Sequence, residues 1–330
     1  GFAANIWHLT LARIGVGVGE AGCSPSAHSM IADYYPPEQR STAMGVYTLG
    51  ISAGIMLAYL AGGWVAQNIG WREAFFIVGM PGLLLAAIVR FTVVEPQRGV
   101  SENRKDSGTQ PAMREVLGFL LARPSFVHMG VAAGLSSFVG YAVINFIPSF
   151  ISRSYGMGLA NLGLWLGIIF GIAGGVGFFF GGFLADRFAA KGRRKSFYFL
   201  ALATFLAALF NVAVFLAPSV VWCLALLAVP TIVSNFYLAP VLAQAQSLVA
   251  LRMRAVASAI VLLLINTIGL ALGPLITGML SDFLQPELGT ESMRYSLVLV
   301  SSLILPWAAF HYYQAGQTIE QDLARATEID

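Results

Sequence analysis

The sequence is poor in charge. Asp, Glu, Lys and Arg together make up 11% of its 330 residues and hydrophobic residues 57%, against about a quarter charged and just under half apolar in soluble domains. So little charge cannot clothe a water-soluble domain of this size, and a mean hydropathy of +0.75 points the same way. Cysteine is nearly absent: Cys23 and Cys223 stand alone inside apolar stretches, which excludes a disulfide framework. Histidine is as scarce. His8, His28, His128 and His311 are scattered over separate segments, so no metal site, no cofactor and none of the clustered His, Asp or Cys of a membrane-embedded enzyme is expected. The positive surplus is only +3, and its distribution reflects topology rather than a nucleic-acid partner. Also missing are an initiating methionine and a charged leader with a cleavage site. The chain opens on the apolar GFAANIW, which reads as a helix end inside a longer protein rather than as a signal peptide.

What is there is a succession of apolar runs about 20 residues long, the length that crosses a bilayer. They lie near residues 10–34, 42–66, 73–94, 126–151, 160–184, 197–217, 220–249, 256–283 and 295–314, and predict an all-α, polytopic membrane protein. Apart from Arg13, the cations gather around Arg40, from Arg90 to Arg123, from Arg187 to Lys195, at Arg252 and Arg254, and at Arg325. Alternate turns put all of these on one side, and only Arg72, Arg153 and Arg294 on the other. The positive-inside rule makes the crowded side cytoplasmic.

Function is expected where apolar spans carry polar side chains. In the first span Arg13 and Glu20 are seven residues apart, which at about 100° per residue returns them to one helix face. Lipid is a poor surrounding for that face, since even insertion-based scales charge about 2.5–3.5 kcal/mol for one ionised group at mid-membrane; a polar cavity is expected instead. Gly15, Gly17, Gly19 and Gly22 leave room for a neighbouring helix, and Pro25 removes an amide, so the helix should be thin and bent there. Gly17-Val-Gly19-Glu-Ala-Gly22 formally matches the dinucleotide fingerprint, but that fingerprint needs a strand before it and a soluble βαβ unit around it. Helix packing is the expected role. Other spans add Tyr47, Tyr141, Asn145, Asn235, Tyr237, Gln244 and Asn266, which join Arg13 as candidate substrate contacts.

Residues 95–124 begin with Pro, Gly and Ser and end in the amphipathic MREVLGFLLA. They read as a linker between part of one half (1–94) and a six-span half (125–316), with a polar tail at 317–330. At one fixed offset Gly54, Ala58 and Gly63 of the second span fall on Gly269, Gly273 and Gly278 of the eighth, each span following an arginine-bearing turn, as parallel repeats would. Spans four to six then lack partners, and three upstream helices would complete twelve. The fifth span carries Gly163, Gly167, Gly171 and Gly175 at four-residue spacing, a pattern for close helix contact. It runs into Gly182-Phe-Leu-Ala-Asp186-Arg187-Phe-Ala-Ala-Lys191-Gly-Arg193-Arg194-Lys195. Cations alone would suffice for topology; a glycine and an Asp-Arg pair among them suggest a gate.

These motifs carry a resemblance. Arg13-Ile-Gly-Val-Gly17-Val-Gly19-Glu20-Ala through Pro25 to Asp33 and Arg40, the loop from Gly182 to Lys195, and Leu272-Gly-Pro274-Leu-Ile-Thr-Gly278-Met-Leu-Ser-Asp282 with Arg294-Tyr295 resemble the major facilitator superfamily, and within it the Spinster-like transporters, over essentially the whole chain. Two departures are the extra residues between Arg187 and Arg193 and the lack of the first three helices, including an acidic-arginine pair. The resemblance implies nine of twelve transmembrane helices and a proton-linked secondary carrier working by alternating access. Glu20 would couple protons, and Asp33, Arg40, Gly182, Asp186, Arg187, Arg193 and Arg194 would form a cytoplasmic gate. The cargo implied is a lysolipid- or sphingolipid-like amphipath, or a small organic anion held by Arg13. The alternatives are a multidrug-type efflux carrier, an uncoupled lipid scramblase or a structural membrane protein. A monomer in a bacterial inner membrane is expected.

Overall fold

The computed structural model describes residues 2–62, 65, 69–96, 101 and 112–326, without the side chains of Glu20, Ala61, Trp71, Ala74, Leu159, Ala160 and Ala326. Among the described residues the chain is helical and holds no strand. Helix α1 (Ile6–Tyr34) is capped by Asn5, whose side chain accepts the His8 amide at 2.9 Å, and it runs through Pro25 unbroken. After a five-residue turn α2 (Arg40–Leu57) follows, continued by a π-helical turn at Ala58–Gly62, and then α3 (Trp71–Thr92). Nearly half of the expected linker, 97–100 and 102–111, lies outside the described residues. Beyond it come the short amphipathic α4 (Met113–Leu121) and the long α5 (Pro124–Tyr155), which opens on proline and closes on Gly156 at φ 70°.

The next pass is made of α6 (Leu159–Ile168), a π turn at Ile169–Ala173 and α7 (Gly174–Ala189), and α8 (Arg193–Phe215) returns. Then α9 (Val220–Ser234) and α10 (Leu238–Ser247) form one interrupted pass. They are followed by α11 (Arg254–Leu264), a π segment at Ile265–Leu272 and α12 (Gly273–Leu288), and α13 (Ser292–Ala326) ends the description. Among the described residues each apolar run read in the sequence falls mainly on one helix or on successive helices. Seven segments among the described residues are long and apolar enough to cross a membrane, and the last of these, Leu251–Arg325, contains the reversal between α12 and α13. Helix α1, which carries Arg13 and Glu20, is not among them.

Three spans expected to be plain helices carry π turns, and a fourth breaks. In the break, Asn235 turns its amide back onto the Thr231 carbonyl at 2.8 Å, and Pro240 has no amide to offer the carbonyl four residues earlier.

A cytoplasmic core gathers Met44 of α2, Val116 and Leu120 of α4, Phe126 and Met129 of α5, and Tyr312, Ala315 and Ile319 of α13. Residues expected as a separate polar tail therefore continue α13 and dock. Asp322, 1% exposed, accepts the Ser125 amide at 2.9 Å and its hydroxyl at 2.6 Å, satisfying the start of α5, where a carboxylate is favoured. A second core, toward the outer end, is built on Phe138, Phe150, Phe170, Phe215 and Leu297.

Glycine decides which helices come close. Gly163, Gly167, Gly171 and Gly175 lie against Tyr59, Leu60, Met56 and Leu49 in turn, as their spacing predicts. On α1 the room expected of the glycines is there and is unfilled among the described residues: a Cβ added at Gly15, Gly17, Gly19 or Gly22 would meet nothing within 4 Å. The main described partners of α1 are α2, α10 and α11, which do not reach this stripe. Helix α3 stands apart, exposed from Phe75 to Thr92. It meets α1 through Phe2 on Phe76 and through the Arg13 guanidinium 5.5 Å from the Phe75 ring centroid, and the Tyr34 hydroxyl donates to the Val94 carbonyl.

Candidate functional site

At the cytoplasmic end, as the cations define it, the two parts of the chain are tied by helix termini. Helix α2 begins without a cap of its own, because Gln39 makes no side-chain bond, and its first amides need partners from elsewhere. Asp186, near the end of α7, supplies them. One carboxylate oxygen accepts the Ser41 amide at 3.3 Å, and the other accepts the Thr42 amide and hydroxyl, each at 2.7 Å. The positive end of the α2 dipole favours a carboxylate there. One turn earlier Gly182 lets the helices meet, since any Cβ would press on the Ser41 carbonyl.

Two arginines complete the closure. Arg40 and Arg254 open α2 and α11, and both are 0% exposed. Arg40 donates through Nη2 to the carbonyls of Ala32 at 2.9 Å and Tyr35 at 3.3 Å, at the negative end of α1, and through Nη1 to the Ser247 hydroxyl at 3.0 Å. Arg254 Nη1 stands 3.0 Å from an Asp33 carboxylate oxygen, a pair in which the acid is 7% exposed. The same sequence spacing separates Arg40 from Arg254 and Asp33 from Ser247. The clasps are thus reciprocal: each arginine starts a helix in one part and reaches the turn before the equivalent helix in the other, one ending on a carboxylate and one on a hydroxyl.

Of the other expected gate residues, Arg193 donates to the Pro37 carbonyl at 3.4 Å. Arg187 borders a cavity of about 530 Å³ shared with Tyr35, Glu38 and Asp186. Arg194 turns away, onto the Gln317 side chain and the Tyr198 ring, because α13 runs on past the membrane and offers partners that a short tail would not.

The expected substrate contacts are not drawn into one wall. Asn145 and Asn235 bond back to their own helices, at Tyr141 and Thr231. The Tyr237 hydroxyl is 2.5 Å from Ser137 Oγ, and Tyr141 packs on the same core. Gln244 is buried, Asn266 is exposed on its π segment, and Arg13 is exposed beside Phe75. Tyr47 lies edge-on to His28, and the Glu20 side chain lies outside the description. The sequence reading did not single out Arg254, Ser247 or Thr42 for the closure; the repeat of the Arg40 spacing was the signal for the first two. Nor did it foresee that His128 and His311 meet, with their Nδ1 atoms 2.8 Å apart.

Residues 1–274 and 129–318 match the family described as Major Facilitator Superfamily. An MFS-type efflux pump of Mycolicibacterium smegmatis is 33% identical over 321 residues, covering 96% of this chain and 73% of that protein. A probable sphingolipid transporter, spinster homolog 1 of Arabidopsis thaliana, is 28% identical over 272 residues, covering 73% of this chain and 54% of that protein. A solved bacterial homolog to the human lysosomal transporter Spinster, inward-facing and unoccupied, matches with a TM-score of 0.71 at 28% identity, covering 97% of this chain and 80% of that one.

Proposed function

The chain belongs to the major facilitator superfamily, with Spinster-like relatives in sequence and structure, and from that premise we propose a proton-coupled carrier that works by alternating access. It is a multi-pass membrane transporter and not an enzyme; the coupling and the cargo are our reading. The observation that carries the reading is the reciprocal arginine closure with Asp186 on the start of α2. Every one of its bonds runs between helix ends, so the parts can separate as rigid bodies and leave groups that water can satisfy. A second tie lies at the far end of α2, where the Tyr59 hydroxyl donates to the Ile144 carbonyl at 3.2 Å. By helix rise that is about 28 Å from Arg40. Breaking one end while keeping the other is what alternating access requires.

Glu20 is the proposed proton site, and Arg13 the proposed contact for an anionic cargo. Residues 1–94 and 125–316 form the two moving parts, in a twelve-helix arrangement whose further helices would cover the bare face of α1. The cargo is a lipid-like amphipath or a small organic anion, carried by a monomer in a bacterial inner membrane. The similarity to an efflux pump over nearly the whole chain favours a second reading, outward transport of lipophilic compounds. Reconstitution tests both. A lysophospholipid, a dicarboxylate and a lipophilic dye are offered to proteoliposomes with and without a pH gradient, and gradient-dependent accumulation of one of the first two is expected. Accumulation of the dye alone selects efflux; indifference to the gradient for all three removes the coupling.

A further inference from the structure

His28 is 2% exposed, and its Nδ1 has no hydrogen-bond partner among the described residues. It sits five residues before Asp33 on α1, about 7.5 Å deeper than the closure by helix rise. Beside it is a cavity of about 340 Å³ where α1, α2, α10 and α11 meet. Its walls differ. Ser24, His28, Tyr47 and Thr48 line the side built from the first part of the chain, and Leu238, Leu242 and Leu262 the side built from the second. The Tyr47 ring stands edge-on to the imidazole, with centroids 5.3 Å apart at 83°. The Thr48 hydroxyl spends its proton on the Gly45 carbonyl at 2.9 Å, so its lone pairs remain to accept.

We propose that this cavity binds an uncharged amphipath, with a hydroxyl- or amide-bearing head on His28 and Ser24 and an aliphatic portion on the three leucines. Three observations converge on that class. The space is within the range of small-molecule sites. A buried ring nitrogen without a partner is costly, and a hydroxyl or amide can both donate and accept, so it satisfies Nδ1 whichever tautomer the ring adopts. Among the described side chains no Asp, Glu, Lys or Arg lines the cavity, so a charged head would find no counter-charge among them. A ligand touching both walls is held only while the two parts are together, which ties occupancy to conformation. Calling this ligand the cargo rests on the carrier reading; the site itself does not.

The test uses the protein in nanodiscs, photolabelled with a diazirine analogue of mono-octanoylglycerol, with mono-octanoylglycerol, octanoate and octylamine as competitors of equal chain length. Adducts should map to residues 24–28 and 47–51. Mono-octanoylglycerol should compete, and the two charged compounds about tenfold less well, for want of a counter-charge. His28→Leu should cut labelling about fivefold, the worth of one neutral hydrogen bond, whereas His28→Gln retains it. Leu242→Trp, which fills the cavity from the opposite wall, should abolish it. Adducts spread over the lipid-facing surface, equal competition by all three heads, or labelling indifferent to both His28→Leu and Leu242→Trp in monodisperse protein would overturn the site. So would the absence of saturable labelling, the result expected if the cavity holds only water. Flux of mono-octanoylglycerol into proteoliposomes is read separately. Site-specific labelling without flux leaves the site standing and removes its identification with cargo.

Discussion

Arg254 is fully buried and paired with Asp33, so the two should respond very differently to single and paired substitution. Removing one partner of a buried pair costs about 3–5 kcal/mol, while replacing both with apolar groups is often neutral. Asp33→Ala should therefore open the cytoplasmic side, and Asp33→Leu with Arg254→Met should leave it closed. The readout is impermeant-maleimide labelling of a cysteine placed at Met30, which borders the cavity containing Asp33; equal labelling of the single and double variants would deny the pair its role. Asp186→Asn is milder, because a carboxamide oxygen still accepts from Thr42, while the longer bond from the Ser41 amide and the charge at the helix terminus, about 1–2 kcal/mol, are lost. Its labelling should fall between wild type and Asp33→Ala. At this scale the sequence was half legible. An acid amid the cations of the Gly182–Lys195 loop drew attention to Asp186. Arg254 hid in a turn whose charge topology already explained, and His28 looked like an ordinary histidine on a largely apolar helix. Its cavity is made by four helices distant in sequence, which no local pattern reports.

Helix contacts sort the glycines into those that matter to this packing and those that do not. Gly182→Ala would set a methyl against the Ser41 carbonyl, a backbone atom that cannot swing aside, and overpacking of this kind costs about 1–3 kcal/mol. Gly19→Ala meets nothing within 4 Å. The thermal midpoint in detergent should fall for Gly182→Ala and hold for Gly19→Ala; equal shifts would mean that close approach of α2 and α7 does not limit the fold. Four-residue glycine spacing was legible as packing in the fifth span, where α2 runs alongside for its length. On α1 the same reasoning finds room without a described neighbour, since a bare stripe states that a helix can approach and not that one does. The π turns at Ala58–Gly62, Ile169–Ala173 and Ile265–Leu272 left no trace in the apolar pattern. One extra residue per turn shifts the face by a fraction of a revolution, and an all-round apolar helix does not register it.

For the molecule as a whole, span length and the one-sided cations sufficed to read a polytopic bundle, because bilayer thickness and the positive-inside rule act on composition alone. The cargo path is harder, since the polar side chains expected to line it are scattered, with Asn145 and Asn235 bonded back to their own helices and Arg13 and Asn266 exposed elsewhere. That leaves the first span as the place where proton coupling is tested. Glu20→Gln mimics the neutral acid and removes the proton it would carry, so it should abolish accumulation driven by a pH gradient while exchange at equal pH persists. Arg13→Ala should weaken an anionic cargo in both assays and leave uncharged mono-octanoylglycerol untouched, because Arg13 is not among the residues lining the His28 cavity. If the two charges merely tie α1 to its neighbours, both variants should lose stability and all transport together. The decisive comparison is therefore within one variant: Glu20→Gln protein that is monodisperse and exchanges cargo but no longer concentrates it places the coupling on Glu20. Gradient-driven uptake that survives this substitution moves the coupling to another group.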